Sequence, residues 1–177
     1  CNYCTEFLRR ADSILNETKE EKKSKLDRVI KLVRQKGRGK RYDCIIGVSG
    51  GVDSSWTLVN AIELGLRPLA VHMDSGWNSE LANNNILNLV KNLNVDIYIY
   101  KIDFDEYRKL MHAFFDADVI DIELLYDNAM LALNYQQALR HEIKFILAGT
   151  NMATEGMSMP DSWYWYKFDR TNIIQIG

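Results

Sequence analysis

The chain has 177 residues, and its 22 Lys and Arg against 24 Asp and Glu leave a formal net charge of −2 at pH 7. This balance argues against a nucleic-acid partner, because proteins that bind by neutralising phosphates carry a basic domain or stripe. Hydrophobic residues at 47%, with 2 Pro and 10 Gly, indicate a folded domain and exclude a disordered or collagen-like chain. No window approaches the roughly 20 apolar residues of a membrane span, so we expect a cytoplasmic protein without a membrane partner.

Residues 1–40 are predicted to form an N-terminal unit, a C-x-x-C pair followed by a charged helical arm. Cys1 and Cys4 have the spacing of half a structural zinc site, although a redox pair or no function fits the same spacing. One apolar stripe predicts that the arm lies on the main body. Its residues are Leu26, Val29, Ile30 and Val33.

Residues 41–177 alternate short apolar runs with amphipathic segments, which predicts an α/β fold with a doubly wound parallel sheet. The predicted strands are 44–48, 69–73, 97–100 and 145–148. The first helix is predicted to carry one apolar side and to end at Gly65, and a later helix is capped near Asn78 or Ser79. The apolar side consists of Val52, Trp56, Val59 and Ile62, and a further helix repeats Leu124, Leu131, Tyr135 and Ala138.

Ligands bind such sheets beyond the carboxyl ends of the strands, and the loop after the first strand has the composition of a phosphate cradle. Adjacent glycines allow a tight turn and present successive N–H groups, hydroxyls add donors, and the next helix directs its positive dipole end at the same point. Its candidate phosphate-binding residues are Val48, Ser49, Gly50, Gly51, Asp53, Ser54 and Ser55. The loop differs from both the Walker loop and the G-x-G-x-x-G turn.

Asp53 is the unexpected member of this loop, because its charge would repel a phosphate. It makes chemical sense as a ligand of Mg²⁺ that bridges to the phosphate, or as an ordinary acid of the first helical turn. After the second strand, Asp74 is positioned either to receive adenosine or to act as a turn residue. Trp77 could stack on a base or substrate, but the core is the more common place for a tryptophan and is the one expected here.

A second glycine turn follows the fourth predicted strand. Gly149 and Thr150 are expected to place backbone N–H groups beside the cradle, and Glu155 would add a second carboxylate to the metal. Further along, Lys167 and Asp169 are candidates to reach phosphates or metal. They end an aromatic run, residues 161–169, that is expected either to cover a sugar or to pack on another part of the protein.

The string from Val48 to Ser55 resembles the pyrophosphate loop of the PP-loop ATP pyrophosphatase superfamily, which includes NAD synthetase and tRNA thiolases. The resemblance implies an adenine nucleotide alpha hydrolase-like fold, ATP and Mg²⁺ as cofactors, and transfer of AMP to a substrate oxygen with release of pyrophosphate. It also implies that adenosine lies near Asp74. The segment from Gly149 to Glu155 is similar to a loop of NAD synthetase, which implies the metal role of Glu155.

The order of shorter strings along the whole chain resembles the N-acetyl sugar amidotransferases of lipopolysaccharide and flagellar sugar biosynthesis. These strings are Cys1 to Cys4, Tyr42 to Cys44, Gly149 to Asn151, Trp163 and Asp169 to Ile173. The resemblance implies adenylation of the N-acetyl oxygen of a nucleotide-activated sugar, and its replacement by ammonia from a glutaminase subunit. It also implies a chain cut at both ends, with a second C-x-x-C missing.

Three alternatives stay open beside that activity: a tRNA thiolase, an NAD synthetase-like enzyme, and a module that binds ATP or a glutaminase without catalysis. The charge of −2 and the position of the C-x-x-C argue against a thiolase. Cys44 is predicted to be a buried apolar residue, and structural roles are expected for His72, His112 and His141.

Overall fold

A computed structural model describes residues 1–150 and 166–177 of the chain. The strands are β1 (Cys44–Gly47), β2 (Pro68–Asp74), β3 (Ile97–Lys101) and β4 (Ile146–Leu147). The helices are α1 (Asn2–Leu15), α2 (Lys19–Gly37), α3 (Val52–Glu63), α4 (Glu80–Leu93), α5 (Phe104–Asp116), α6 (Leu124–Arg140) and α7 (Arg170–Ile176). Among these helices, none combines the length and the apolar composition that a membrane crossing needs.

The four strands form one parallel sheet in the order β3-β2-β1-β4, which confirms the predicted α/β fold. Ile45 of β1 is in register with Leu69 on one side and with Ile146 on the other. The chain builds the sheet outward from β1 to β3 and then returns to place β4 on the opposite side of β1. This reversal puts the loops after β1 and β4 side by side, at the kind of position where open α/β sheets bind ligands.

Alternate residues of β1 point to opposite faces, and each face packs against different helices. On one face, Cys44 and Ile46 join a core with residues of α2, α3 and α4. On the other face, Ile45 packs with Leu133 and Ala138 of α6. Burial raises the pKa of the Cys44 thiol to about 12, in agreement with its predicted role as a buried apolar residue.

The predicted apolar side of α3 is wrong in its first turns. Val52 is 79% exposed and Trp56 is 66% exposed, whereas Leu58 and Ala61 are buried. The helix begins at the sheet edge, so its first turns extend past the strands and only its second half covers them. The stripe expected on α6 is also partly wrong, since Leu131 and Tyr135 are exposed and the buried positions lie beside them.

The N-terminal arm consists of two helices rather than one. They are separated at Thr18, which forms a capping box with Glu21 at the start of α2. The predicted contact with the main body is confirmed for the end of the stripe, where Val33 is fully buried and Ile30 packs on the same core. Leu26 and Val29 are exposed.

The amino ends of the strands are joined by charged pairs. The carboxylate of Asp43, just before β1, is buried and accepts hydrogen bonds from the Arg67 backbone N–H at 2.9 Å and from its guanidinium at 2.6 and 3.1 Å. Gly37 at the end of α2 makes this arrangement possible, because a Cβ there would lie 2.8 Å from the Asp43 Cα atom. Asp96, just before β3, accepts from Arg41 and from the Tyr42 hydroxyl, both at 2.8 Å.

Candidate functional site

The loop after β1 makes its turn at Gly50, and the turn requires glycine. The φ angle of Gly50 is +81°, a left-handed conformation that other residues rarely adopt. A Cβ at this position would lie 2.5 Å from the carbonyl oxygen of Ala82, because the first turn of α4 packs directly on the loop. Helix α4 is fixed there by Ser79, whose side chain accepts from the Ala82 N–H, as expected for a cap near this position.

The serine hydroxyls of the loop hold its shape. The Ser54 hydroxyl accepts from the Ser49 N–H and lies 3.2 Å from the Ser49 hydroxyl. The Ser55 hydroxyl donates to the Gly51 carbonyl at 2.7 Å. In the structure, these side chains therefore stabilise the turn.

The amino end of α3 has no side-chain cap. Gly51 occupies the N-cap position and makes no side-chain capping bond; the same holds at the starts of α1 and α6, whereas Thr18, Ser79 and Asp103 cap α2, α4 and α5. The first N–H groups of an α-helix have no partner within the helix, and together with the helix dipole they form a site for an anion. Beyond β1 the first N–H groups of α3 are thus without a side-chain cap.

The loop after β4 closes against this site. A Cβ on Gly149 would lie 2.8 Å from the Ser54 nitrogen and 2.9 Å from the Asp53 carbonyl carbon, so the two predicted loops are in direct backbone contact. Thr150 follows at the mouth of the same cleft. Glu155, predicted as a second metal ligand, and the aromatic residues up to 165 lie outside the described residues.

A cleft of about 400 Å³, which we call the loop cleft, lies between these loops and α6. Its polar end consists of loop residues, including Val48, Ser49, Gly51, Asp53 and Ser54. Its apolar walls come from β2, β4 and α6: Val71, Met73, Met130, Leu131, Ile146 and Leu147. A polar mouth and apolar walls suit a ligand with a phosphate at one end and a flat ring at the other.

Sequence reasoning missed the contribution of α6 to this cleft. Tyr126, Met130 and Asn134 line it from successive turns of the helix. Their spacing of four residues is a signal that the sequence contained, because positions i, i+4 and i+8 share a helix face. The spacing alone did not show which face of α6 lines the cleft, because that depends on how α6 packs against the sheet.

Asp74 lies at the end of β2, where its carboxylate accepts from the Gly76 N–H at 3.0 Å in a turn. It is also close to Tyr126, whose pKa is raised by burial, by Asp127 and by Asp74. Asp74 itself does not line the loop cleft among the described residues, so its turn role is visible here and its adenosine contact stays a prediction.

Trp77 is 61% exposed, and the expectation of a core residue is wrong. Its ring packs on Phe104, with centroids 5.6 Å apart, because the loop after β2 lies across the start of α5. Trp77 lines a neighbouring cavity of about 440 Å³, which shares Tyr126 with the loop cleft.

His72 connects two of the loops from its buried position on β2. Its Nδ1 lies 2.7 Å from the Val48 carbonyl oxygen, and its Nε2 lies 2.9 Å from the Asn78 amide nitrogen. A carbonyl oxygen only accepts, so the geometry fits a ring that donates from Nδ1 and accepts at Nε2. The structural role expected for His72 is thus to hold the start of the phosphate loop to the loop after β2.

Lys167 and Asp169 do not line the loop cleft among the described residues. The Lys167 ammonium pairs with Asp127 at 2.6 Å and with Asp121 at 3.1 Å. Partial burial acts to lower the pKa of Lys167, but the hydrogen bonds to these two carboxylates outweigh it and raise the pKa. Asp169 accepts from two backbone N–H groups as the N-cap of α7. Their catalytic roles stay predictions.

The donor set at Asp53 fits Mg²⁺. Mg²⁺ is bound in nucleotide sites by one or two carboxylates together with phosphate oxygens and water, so a dedicated cluster of protein ligands is unnecessary. Asp53 supplies one carboxylate in the first turn of α3, at the polar end of the loop cleft. The described residues include no group of three or more His, Cys, Asp or Glu that could hold a metal alone, and zinc at Cys1 and Cys4 finds no further ligands there.

Comparison with known proteins yields a family and a fold. The family model described as NAD synthase matches residues 22–158, well over half of the chain. Among solved structures, an NMN synthetase from Francisella tularensis matches with a TM-score of 0.50 at 18% identity, covering 67% of this chain and 50% of its own. An NH3-dependent NAD synthetase from Campylobacter jejuni matches with a TM-score of 0.50 at 16% identity, covering 67% and 52%.

These likenesses show the fold alone, and the chain spans about half the length of these two solved structures. A search of curated proteins finds no match.

Proposed function

The chain belongs to the NAD synthase family, and we propose that it binds ATP with Mg²⁺ in the loop cleft as part of an adenylating, ammonia-using enzyme. The observation that carries this proposal is the uncapped amino end of α3, which opens into a cleft with apolar walls. Phosphates at the helix end would replace the missing cap, and the walls would receive the base.

The residues of the cleft suit each part of the nucleotide. The N–H groups at the start of α3 would bind the phosphates, and Gly149 allows the second loop to approach them closely. Bound at Asp53, Mg²⁺ would offset the charge that develops on pyrophosphate as it leaves. Tyr126 is half-buried in the cleft wall, and burial together with Asp127 and Asp74 raises its pKa, so its hydroxyl would act as a hydrogen-bond donor.

The proposed reaction has two steps. A carboxylate or amide oxygen of the acceptor attacks the α-phosphorus of ATP, and the bond to the β-phosphate oxygen breaks to release pyrophosphate. Ammonia then attacks the activated carbon, a proton is lost to solvent, and AMP leaves with the oxygen. Holding both reactants in one cleft converts each step into an effectively unimolecular one.

Two kinds of acceptor substrate are candidates. The family model favours a carboxylic acid that is converted to an amide, as the ammonia-dependent synthesis of a carboxamide by an NAD synthetase requires. An N-acetyl sugar attached to a nucleotide, converted to an acetamidino sugar with ammonia from a glutaminase subunit, is supported by the strings that include Cys1 to Cys4. Structural zinc at that pair belongs to this second proposal.

Product analysis tests the reaction and separates the acceptors. The chain is incubated with ATP, Mg²⁺, ammonium and either a nicotinic acid dinucleotide or a nucleotide-linked N-acetyl sugar. We expect AMP and pyrophosphate to form with one acceptor only. ADP and phosphate would refute adenylation, and nucleotide binding without any turnover would favour the non-catalytic ATP-binding module.

Asp53→Asn tests the metal assignment by calorimetry. The substitution keeps the side-chain size but removes the charge, so we expect ATP affinity in the presence of Mg²⁺ to fall about tenfold or more, while affinity without Mg²⁺ changes little. Glu63→Gln, at the other end of the same helix, serves as the control and should leave both affinities unchanged. An unchanged Mg²⁺ dependence in Asp53→Asn would overturn the assignment.

A further inference from the structure

Two buried amide side chains of α6 have oxygens without hydrogen-bond partners among the described residues. Asn134 is 6% exposed and Gln137 is 4% exposed, and neither the Asn134 Oδ1 nor the Gln137 Oε1 is paired. Leaving a buried acceptor unpaired costs about 1–3 kcal/mol, and such groups are rare in native proteins. Each of them therefore needs an explanation.

The two amides differ in their position relative to the loop cleft. Asn134 lines the loop cleft and Gln137 does not. The Asn134 amide lies over the end of β1, where its Nδ2 is 3.4 Å and its Oδ1 3.8 Å from the point that a Cβ on Gly47 would occupy. Glycine at this position leaves the space that the Asn134 amide occupies, and both residues line the cleft.

The surroundings of Asn134 suit a flat ring. Val71 and Met73 of β2 and Ile146 of β4 lie on the same face of the sheet as α6 and form apolar walls of the cleft. Gly47 precedes Ser49 by two residues, or roughly 7 Å of extended chain. That separation leaves room for a ribose between a base at Asn134 and a phosphate at the loop, so the amide is placed at the base end of the proposed nucleotide.

We propose that Asn134 recognises the adenine ring of ATP by accepting a hydrogen bond from the 6-amino group at Oδ1. A carboxamide oxygen is complementary to this donor of adenine. Since Oδ1 is covered in the free protein, a rotation about χ2 that exchanges Oδ1 with Nδ2 accompanies binding and turns the oxygen toward the ligand. This inference rests on the proposed function, because it requires ATP in the loop cleft.

The proposal also explains why the chain keeps Asn134, whose buried and unpaired oxygen lowers the stability of the free protein. Leucine has nearly the shape of asparagine and leaves no unpaired acceptor, so Asn134→Leu should melt at the same temperature as the parent or higher. The binding site, rather than the core, thus explains why an amide occupies this position.

The test deletes one group from the ligand and one from the protein. Calorimetry measures the affinity of the 177-residue chain for ATP and for purine riboside triphosphate, which lacks only the 6-amino group. We expect the parent to bind ATP about tenfold more tightly than the analogue, the value of one hydrogen bond. Asn134→Leu should bind both equally.

Gln137→Leu is the matched control, since it also removes a buried unpaired amide from α6 but lies outside the cleft. It should retain the tenfold preference for ATP. If Asn134→Leu does not fold, as judged by its thermal transition, Asn134→Ala provides the same comparison.

Each other outcome overturns the proposal at a distinct step. If Asn134→Leu still prefers ATP over purine riboside triphosphate, other groups recognise the 6-amino group. The proposal that the cleft binds ATP would then remain valid. Loss of the preference in Gln137→Leu would show a general effect of α6. Failure of the parent to bind either nucleotide would refute the proposed function and this inference with it.

Discussion

The amino ends of the strands are closed by charged pairs, whereas the carboxyl ends open onto a cleft with donors that no side chain caps. Before β1 and β2, the buried Asp43 carboxylate accepts three hydrogen bonds from Arg67. After β1, α3 begins at Gly51 without a cap, and Asn134 has an unpaired amide oxygen. Both edges belong to the same four strands, and they differ in whether their polar groups are satisfied within the chain.

This difference shows how the sheet separates stability from binding. Paired groups at the amino edge, such as Asp43 with Arg67, lower the free energy of the folded state. Unpaired groups at the carboxyl edge cost stability that a bound anion or base would restore. Substitutions at the amino edge should therefore change the free energy of unfolding, and those at the carboxyl edge should change nucleotide affinity.

The largest effect is expected from Asp43→Ala. It removes the buried acceptor and leaves the Arg67 backbone N–H and guanidinium without their partner; since Arg67 is half exposed, water compensates part of the loss. We expect the free energy of unfolding to fall by about 2–3 kcal/mol in urea denaturation, with unchanged ATP affinity in the folded protein. If Asp43→Ala lost affinity for ATP without a loss in the free energy of unfolding, the proposed division between a stabilising edge and a binding edge would be wrong.

Asp96→Ala is the control for that variant at the same edge. Its carboxylate pairs with Arg41 and Tyr42, but it is exposed, and exposed pairs contribute at most about 1 kcal/mol. A much smaller loss than in Asp43→Ala would show that burial of the pair, rather than its charge alone, stabilises this edge.

Gly149→Ala should give the next largest effect, a loss of affinity for ATP. The new Cβ would lie within 2.9 Å of the Asp53 and Ser54 backbone, so one of the two loops has to move away from the phosphate site. We expect ATP affinity to fall at least tenfold, a change of about 1.4 kcal/mol. Gly39→Ala, in an open turn with a φ of +78°, controls for the general cost of replacing a glycine and should change stability alone.

The smallest predicted effect tests whether His72 positions the phosphate loop. In His72→Asn, the amide nitrogen can take the place of Nδ1 and keep the bond to Val48; in His72→Gln, it takes the place of Nε2 and loses that bond. We expect roughly threefold weaker ATP binding in His72→Gln and little change in His72→Asn, with similar melting temperatures. Equal losses of affinity would mean that His72 acts through the core.

Much of the architecture and of the phosphate loop was predictable, because both depend on local signals. The apolar runs that became β1 to β3 and the glycines at 50 and 65 express their conformation within a few residues of sequence. The buried side of α3 was not predictable. Val52 and Trp56 have the helical spacing of an apolar stripe, but they are exposed because the first turns of α3 extend past the end of the sheet. Trp77 was missed for a similar reason, as its loop lies across α5 at the surface.

By itself, the sequence determined the alternation of strands and helices and the glycine turn after β1, because hydrophobic period and glycine placement act locally. The tertiary structure alone decided which distant groups meet: Gly149 against Asp53, Asn134 over Gly47, and Lys167 with Asp121 and Asp127. Such pairs depend on the order of strands in the sheet and on how α6 packs across it. The partners lie dozens of residues apart, so no local pattern encodes their contact.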